Sequence, residues 1–595
     1  MLPLSIFLWF AITVSIVNGQ NSYKTIKTQT TLIRGQLEKT IWLETPFYSF
    51  KGIPYAQAPI GKLRFKAPQS VASWPKQIDA FEYGNKCAQR LNKGGFQFSA
   101  VTEDCLNLNV FVPANANETK RLPVLLVLPG GLFAGGSGDD ALYGPDFVIE
   151  NEIILVTLNY RVGIFGFMSL GLPEQSGNMG MKDQQMAMKW IHENIGAFGG
   201  DNNKITIIGF ISGGKALGLH LLNENSSKYF NQQITISATA NNINTLDGDH
   251  RCLIEYFYEK HNNSSRPSDE QLIEFLENAD VNDILDFNQE AVGGPDGVIT
   301  AWNPVIEKST AKQPFLLEDP LTKLMKTKEV NKSSYFTSAQ YEQLRFTDRT
   351  NGYSNPEVID AFLKDFYTNL PIFGYNETLL KKPDYLDNVW RKIRKFYFDN
   401  ATNDHDRFIQ RLHLDSDVKY VYFVEKWMEQ LVSVSTKDTF YSRFSLSTKL
   451  NPHKLLQAGA HADEYCYLFR CRQFNEYYQQ INANKDSDEN ASIAFKALKN
   501  MQTLFYNFVK YGNPIHNGEP IEQFKPIERS SKADQFNFMD VKNDGLAAGI
   551  GPNANRAEFL GNIVEEVKHL VAEHGETPED TQLQQICEAV KLGKW

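Results

Sequence analysis

The chain has 595 residues, of which 42% are apolar and 22% are charged, and its formal net charge is -10. This balance is typical of a globular protein that buries a large core, and it excludes a disordered or fibrous chain. The negative charge argues against nucleic acid or an anionic membrane as a partner, because both would be repelled across most of the surface. Length alone allows two or three domains, but α/β enzymes of this size also fold as one unit.

An apolar segment without acidic residues opens the chain at 1–19 and ends in Val17-Asn18-Gly19. Small residues at the first and third of these positions suit a signal peptidase, and the run is too short for a stable membrane span. The alternative is a buried N-terminal helix. Because no second apolar stretch of spanning length follows, we expect a secreted protein with a signal peptide at 1–19 and one domain over 20–595.

Short apolar runs separated by a helical pattern come next. Residues 124–128, 153–158 and 205–208 are predicted to be buried strands. Between the last two, the apolar spacing predicts a helix over 181–195. This β-α-β alternation predicts an α/β fold with a largely parallel sheet covered on both faces.

The third of these strands runs into a glycine-rich turn, GFISG at 209–213. A strand, a sharp turn and a helix form the nucleophile elbow of hydrolases, which needs small residues two before and two after the nucleophile. The glycines place Ile211 at the tip, so the nucleophile is missing. Sliding by one residue would put Ser212 at the tip, but Phe210 would then occupy a position that needs a small residue.

Further along, residues 418–424 are predicted to be a strand and the polar stretch 480–490 a surface loop. An apolar stripe over 559–571 predicts a C-terminal helix. No repeat, low-complexity tract or linker divides the chain. The histidines are scattered without metal-ligand spacing, so we expect neither a metal site nor a cofactor.

Six cysteines fit an oxidising compartment. Cys87 and Cys105 are the pair that we favour, because the short loop between them can be closed at modest entropic cost. The other four cannot be paired from the sequence; they are Cys252, Cys466, Cys471 and Cys587.

Eight sequons for N-glycosylation lie along the chain. Each is weak evidence alone, but some should carry glycan in a secreted protein. They stand at Asn117, Asn225, Asn262, Asn263, Asn331, Asn376, Asn400 and Asn490.

Several longer motifs resemble those of the type-B carboxylesterase and cholinesterase family in order and spacing. They are KGIPYA at 51–56 with LRF at 63–65, EDCLNLNV at 103–110, NYRVGIFGF at 159–167, GNMGMKDQ at 177–184 and NIGAFGGD at 194–201. The matches run from about residue 52 to residue 559. The resemblance implies an α/β-hydrolase fold with its active site at the bottom of a gorge, and a disulfide between the positions of Cys87 and Cys105.

The resemblance also implies where a catalytic triad would lie. An esterase needs a serine, a histidine that activates it and an acid that orients the histidine. The family's serine position is Ile211, and its acid position aligns best with Gln340. The histidine motif matches GAHADEYCYLF at 459–469, which makes His461 the vestigial base, or a core histidine left from an esterase ancestor.

The loop that holds the developing oxyanion is altered too. The family's glycine-rich loop matches PGGLF at 129–133, where Gly130 and Gly131 remain and Leu132 replaces the third glycine. Ser212, the residue after the elbow tip, completes this group. Because losing the nucleophile of a triad costs roughly a millionfold in turnover, we expect no useful esterase activity.

The elbow tip usually has a strained backbone, which is especially unfavourable for a β-branched residue. We therefore expect either a relaxed turn at Ile211 or strain that is offset by burying its side chain.

Three functions compete. The first is an extracellular interaction or adhesion protein resembling the family's non-catalytic branch of glutactin, neurotactin and neuroligin, with oligomers formed through C-terminal helices; the alternative is that 559–571 simply packs on its own domain. The second is a small apolar ligand bound in a gorge floored by Ile211 and Leu132. The third is an atypical ester hydrolase that uses Ser212 with His461.

Overall fold

A mixed β-sheet of 13 strands organises the protein. The computed structural model describes residues 22–91, 98–117, 119–242, 245–246, 248–262, 266–293, 299–347, 352–364, 383–516, 522–574, 587 and 590–591, so the predicted signal peptide lies outside it. The strands are β1 (Tyr23–Lys27), β2 (Leu32–Lys39), β3 (Pro46–Pro54), β4 (Gln77–Asp79), β5 (Gln89–Leu91), β6 (Phe98–Ala100), β7 (Asn107–Pro113), β8 (Leu122–Leu128), β9 (Ile154–Leu158), β10 (Gly200–Phe210), β11 (Gln232–Ile236), β12 (Val292–Gly293), β13 (Ile299–Thr300), β14 (Ser333–Ala339), β15 (Thr439–Phe444), β16 (Asn537–Lys542) and β17 (Gly545–Ile550).

The strand order in the large sheet is β1-β2-β3-β7-β9-β8-β10-β11-β14-β15-β16-β17, with β4 paired to β2. Strands from β9 to β16 in this order run parallel, and the strands at the two ends pair antiparallel. The three predicted strands are β8, β9 and β10, and they are neighbours. Two small separate sheets pair β5 with β6 and β12 with β13.

Side chains of the central strands alternate between two apolar clusters because successive residues of a strand point to opposite faces. In β8, Val124 and Leu126 belong to one cluster, while Leu125 and Val127 belong to the other. All four are at most 1% exposed. The sheet is therefore buried on both faces, as the continuous apolar runs predicted.

The helices cover these faces, and the predicted helix over 181–195 is present as Met179–Asn194. The α-helices are Asp146–Glu150, Gly163–Phe167, Met179–Asn194, Ser212–Leu222, Glu224–Ser227, Arg251–Asn262, Asp269–Asn278, Val281–Glu290, Pro320–Lys326, Leu344–Thr347, Pro356–Lys364, Pro383–Phe398, Asp404–Ser416, Tyr422–Val434, Tyr465–Leu468, Asn475–Asn484, Glu489–Tyr511 and Ala554–His574, with a π-turn at Asp417–Val421. Within the described ranges, no helix is long and apolar enough to cross a membrane.

The prediction of a strand over 418–424 is wrong. These residues form the π-turn Asp417–Val421 and the start of the helix Tyr422–Val434. Val418, Val421 and Val424 are all buried, at intervals of three residues, which is the spacing of one helix face. A short β-branched and aromatic run is compatible with either structure, and here the helical period decides.

The predicted loop over 480–490 is also largely wrong. The helix Asn475–Asn484 extends into it, and the helix Glu489–Tyr511 begins before it ends. Tyr478 and Ile481 are fully buried and anchor the first helix to the core. Asp488 caps the second helix by accepting a hydrogen bond from the backbone N–H of Ala491, 2.7 Å away.

The predicted C-terminal helix over 559–571 is part of Ala554–His574. Leu560, Ile563 and Val567 are buried in a cluster formed with the helices Pro383–Phe398 and Asp404–Ser416. The apolar stripe over 559–571 therefore packs on its own chain, which was the alternative to a helix that forms oligomers.

All six cysteines form disulfides. The favoured pair, Cys87–Cys105, is confirmed. The structure supplies the pairings that the sequence left open: Cys252 bonds to Cys587 and Cys466 bonds to Cys471.

The sequons that fall on described side chains are exposed, as an acceptor site requires. Asn263 and Asn376 lie outside the described residues. The exposed ones are Asn117, Asn225, Asn262, Asn331, Asn400 and Asn490.

Buried ion pairs fix several of the motifs. The Arg161 guanidinium donates from Nε and Nη2 to the Asp183 carboxylate at 2.8 and 2.6 Å. Arg64 pairs in the same bidentate way with Glu103 at 2.6 and 2.5 Å. Planar two-bond pairing compensates the cost of burying both charges.

Candidate functional site

The candidate site lies at the carboxyl ends of neighbouring parallel strands, where ligands bind in open α/β sheets. Strand β8 leads into the loop that contains Gly130, β10 leads into Ile211, and β14 leads toward Glu342. Strand β15 precedes the segment that contains His461.

The sharp turn after β10 has Ile211 at its tip, with φ 55° and ψ -115°. A Cβ on Gly209 would lie 2.3 Å from the carbonyl oxygen of Gly213, and a Cβ on Gly213 would lie 2.2 Å from that of Leu128. Neither position has room for a side chain. The register set by the two glycines is therefore confirmed, and Ser212 is the first residue of the following helix.

The expectation of a relaxed turn at Ile211 is wrong, because a β-branched residue rarely adopts this positive φ. The alternative, that burial offsets the strain, fits better. Ile211 is half-buried and packs against the cluster that contains Phe210 and Tyr465. Within this cluster the Phe210 ring stacks on the Tyr465 ring with centroids 3.9 Å apart.

The oxyanion loop keeps its tight path despite Leu132. Gly131 has φ 142°, and a Cβ there would lie 2.1 Å from the carbonyl oxygen of Gly135. Leu132 takes φ 60°, a left-handed conformation that glycine adopts at lower cost. Its side chain packs against Leu91 and Ala134, in a different cluster from Ile211. Ile211 and Leu132 thus pack against separate apolar clusters, and the shared apolar floor stays a prediction.

Ser212 faces the oxyanion loop. Its Oγ accepts a hydrogen bond from the backbone N–H of Gly131 at 3.0 Å, and the residue is 1% exposed. In this fold the oxyanion is held by the N–H of the residue after the nucleophile and by N–H groups of this glycine-rich loop. One loop N–H is thus already occupied by a side chain of the protein itself.

The acid beside His461 is Glu342, so the assignment of Gln340 is wrong. Glu342 Oε2 lies 2.6 Å from His461 Nδ1, and both side chains are at most 1% exposed. Glu342 folds back to the end of β14, where its Oε1 accepts the backbone N–H of Ala339 at 2.7 Å. Gln340 instead donates its backbone N–H to the carbonyl oxygen of Phe444 at 2.9 Å.

Burial shifts both pKa values of this pair toward the uncharged forms. It raises the pKa of Glu342 to about 8, against the opposing hydrogen bonds from Ala339 and Ser237. It also lowers the pKa of His461 well below its ordinary value, with help from the positive charges of Arg345 and Lys215.

The other nitrogen of His461 is available for chemistry. Among the described atoms, Nε2 has no hydrogen-bond partner, although the ring is fully buried. The rings of Tyr420 and Phe346 hold the imidazole, with centroids 4.4 and 5.5 Å away. This geometry suits a general base that takes a proton from a hydroxyl at the elbow tip, where Ile211 has none.

The sequence therefore located the elbow, the loop and the histidine, and it missed the acid. Glu342 is the first carboxylate after β14, and that position was the available signal. The sequence places Ser212 in the oxyanion group, but it does not indicate that the Ser212 hydroxyl binds Gly131.

The chain is similar to known proteins of one family along most of its length. The model of the Carboxylesterase family matches residues 22–560. Esterase B1 of Culex pipiens is 27% identical over 557 residues, which cover 90% of this chain and 97% of the esterase. Juvenile hormone esterase of Tribolium castaneum is 35% identical over 291 residues, 47% of this chain and 48% of that protein.

Among solved structures, juvenile hormone esterase from Manduca sexta with OTFP covalently attached aligns with a TM-score of 0.74 at 21% identity, covering 92% of this chain and 100% of that one. At this identity the alignment establishes the α/β-hydrolase fold. Together with the family match over nearly the whole described chain, it leads to one assignment: the protein belongs to the carboxylesterase family.

Proposed function

We propose that this protein is a secreted, catalytically inactive carboxylesterase-fold protein that acts by binding an extracellular protein or matrix. One observation carries the proposal: the elbow tip holds an isoleucine, while the buried Glu342–His461 pair of the site is retained. The pair can move a proton, but no hydroxyl or thiol stands at the tip to form an acyl intermediate.

The oxyanion loop supports the same interpretation. Ser212 Oγ occupies the N–H of Gly131, and Leu132 stands where the family has glycine. A hydrolase needs these donors free and aimed at the developing charge. The curated relatives have the names of esterases, so the proposal departs from them on the residues of this site.

Secretion is proposed from the apolar segment at 1–19, with 20–595 as one domain. Three disulfides support it, because they persist in oxidising compartments. The exposed sequons are consistent with a glycosylated surface. The binding role that we propose is adhesion resembling that of the family's non-catalytic branch.

Hydrolysis through Ser212 is the rival function, and the site gives it little support. Its Oγ bonds to the loop backbone, and His461 Nε2 has no partner among the described atoms. A serine hydroxyl that binds a backbone N–H and has no hydrogen bond to the histidine base is not activated as a nucleophile.

The test combines turnover with covalent labelling of the secreted protein. We expect no hydrolysis of p-nitrophenyl acetate above the uncatalysed rate and no labelling by a fluorophosphonate probe. Ile211→Ser should gain labelling, since it places a hydroxyl before the base, whereas the matched control Ile211→Ala should not. Labelling or turnover of the natural protein that Ser212→Ala abolishes would contradict the proposal.

A further inference from the structure

A surface cleft away from the candidate site lies between the helices Tyr422–Val434 and Ala554–His574 and the short helix Ala533–Gln535. Its volume is about 380 Å³. This falls within the range of roughly 300–1,000 Å³ that small-molecule sites occupy. None of the residues that line it belongs to the elbow, the oxyanion loop or the Glu342–His461 pair.

The lining is acidic. Five carboxyl groups and two lysine side chains face the cleft. Both lysines, Lys426 and Lys532, lie near the same carboxylate, that of Glu429, at 3.3 and 4.0 Å. The two lysines offset two of the five carboxyl charges, and Lys568 pairs with Glu565 at 2.8 Å, so the wall keeps a net negative charge when its acids are ionised. An anionic ligand would be repelled here, and a cation would be attracted.

Glu425 is the residue that points to a ligand. It lines the cleft, yet it is 1% exposed. Its Oε1 accepts a hydrogen bond from Asn553 Nδ2 at 2.9 Å, while Oε2 has no hydrogen-bond partner among the described atoms. Leaving a buried carboxyl oxygen without a donor costs free energy, and a donor brought by a ligand would recover it.

The nearby arginine is already engaged. Arg556 Nε donates to Asp417 Oδ2 at 2.7 Å, and its Nη2 donates to Asn553 Oδ1 at 2.5 Å. Burial raises the pKa of Glu425 to about 8, with Asp417 and Glu429 adding to the rise and Arg556 opposing it. Tyr441 is a further titratable group that interacts with the Glu425 carboxyl.

An aromatic ring stands at the same wall. Tyr422 lines the cleft one helical turn from Glu425, and burial together with the carboxylates of Glu565 and Glu429 raises its pKa. A ring face beside carboxylates is a favourable surface for an organic cation, since the ring quadrupole attracts positive charge.

We propose that this cleft binds an alkylammonium or guanidinium group, with Glu425 Oε2 as its buried hydrogen-bond acceptor and Tyr422 as its aromatic wall. Two sources carry this chemistry: a free polyamine, or a lysine or arginine side chain of a partner protein. The second source rests on the proposed function in extracellular binding, whereas the site itself does not.

Isothermal titration calorimetry of the full-length secreted protein at pH 8.5 and low ionic strength tests the site. The probes are spermidine and an acetylated, amidated Ala-Lys-Ala peptide, with Ala-norleucine-Ala as the uncharged control. We expect saturable binding of a charged probe and none of the control peptide. Binding of spermidine but not of the lysine peptide would identify a free polyamine as the ligand. Tighter binding of the peptide would identify a side chain of a partner protein.

Glu425→Gln keeps the shape and the bond to Asn553 but removes the charge. It should weaken binding about tenfold to a hundredfold, because a charge-assisted bond is lost. Glu329→Gln, an exposed carboxyl outside the cleft, is the matched control and should change nothing. Equal binding by wild type and Glu425→Gln would overturn the proposal, as would the failure of both probes to bind.

A second measurement needs no variant. Cation binding to Glu425 requires its carboxylate, so wild-type protein should release a proton when the probe binds at pH 7. Titrations in two buffers of different ionisation enthalpy measure that release, and binding without it contradicts the assignment to Glu425. The esterase assays do not affect either result, so the two proposals fail independently.

Discussion

Removing the Ser212 hydroxyl from the oxyanion loop should increase the esterase activity of the Ile211→Ser variant. Ile211→Ser supplies a hydroxyl at the elbow tip, but Ser212 Oγ still occupies the N–H of Gly131 at 3.0 Å. Ser212→Ala in the same chain removes that acceptor and leaves the N–H for substrate. We therefore expect the double variant to hydrolyse esters faster than Ile211→Ser alone.

The hydrogen bond sets the size of the gain. If the oxyanion displaces Ser212 Oγ, the cost is that of one neutral hydrogen bond, about 0.5–1.5 kcal/mol, or roughly twofold to tenfold in rate. If the oxyanion cannot displace Ser212 Oγ, one oxyanion donor is lost, which is worth about 100- to 1,000-fold in kcat. The expected gain thus lies between these limits.

The assay is kcat/KM for p-nitrophenyl acetate, measured for wild type, both single variants and the double variant after their fold is checked by circular dichroism. Ser212→Ala alone is the control and should stay inactive, because it restores a donor without a nucleophile. A double variant no faster than Ile211→Ser would refute the role assigned to Ser212.

Three further predictions concern stability. Replacing Cys252 and Cys587 with serine should cost about 2–5 kcal/mol, because the disulfide spans 335 residues; an unchanged denaturant midpoint would contradict this. His220 is fully buried, and burial lowers its pKa to about 3. The contribution of its neutral ring to the free energy of unfolding is therefore complete above pH 6.5 and is lost as the pH falls toward 3. When the pH is lowered from 7.5 to 5, the free energy of unfolding of His220→Gln should therefore rise by about 2 kcal/mol relative to that of wild type. Chemical unfolding at the two pH values measures this difference. An equal change in the stability of both proteins would contradict the prediction. Arg64→Ala should cost about 3–5 kcal/mol, because it leaves Glu103 buried without its partner, and a melting temperature equal to that of wild type would show that the pair is dispensable.

The parts of the fold that the sequence predicted are those with a strong local cause. Continuous apolar runs can only be buried strands or buried helices, and their length made β8, β9 and β10 recognisable. The elbow register followed from steric exclusion, since Gly209 and Gly213 have no room for a Cβ.

The errors came where local sequence allows two structures. Residues 418–424 are rich in valine and aromatic residues, which strands favour, but the pattern continues at Met428 and Leu431 with helical spacing. The spacing of the three valines within 418–424 also fits a helix, but the β-branched and aromatic composition favoured a strand. In 480–490, polar composition hid Ile481, whose burial holds the helix in place.

The acid of the site could not be fixed because it lies in irregular backbone. After β14 no period relates sequence position to side-chain direction, so the acid was assigned by alignment alone, which favoured Gln340. The choice is made by the hydrogen bond from Ala339 to Glu342, a contact that only the fold provides. Likewise, the bond between Ser212 and Gly131 joins positions 81 residues apart.

The buried Glu342–His461 pair has a consequence for how such sites evolve. Each partner satisfies the other where water cannot reach, so replacing either one leaves a buried polar group alone and costs stability whether or not an ester is ever cleaved. Selection for a folded protein is then enough to keep both residues long after a nucleophile is lost. Two members of a triad do not by themselves establish activity, so the third position must be inspected before activity is inferred.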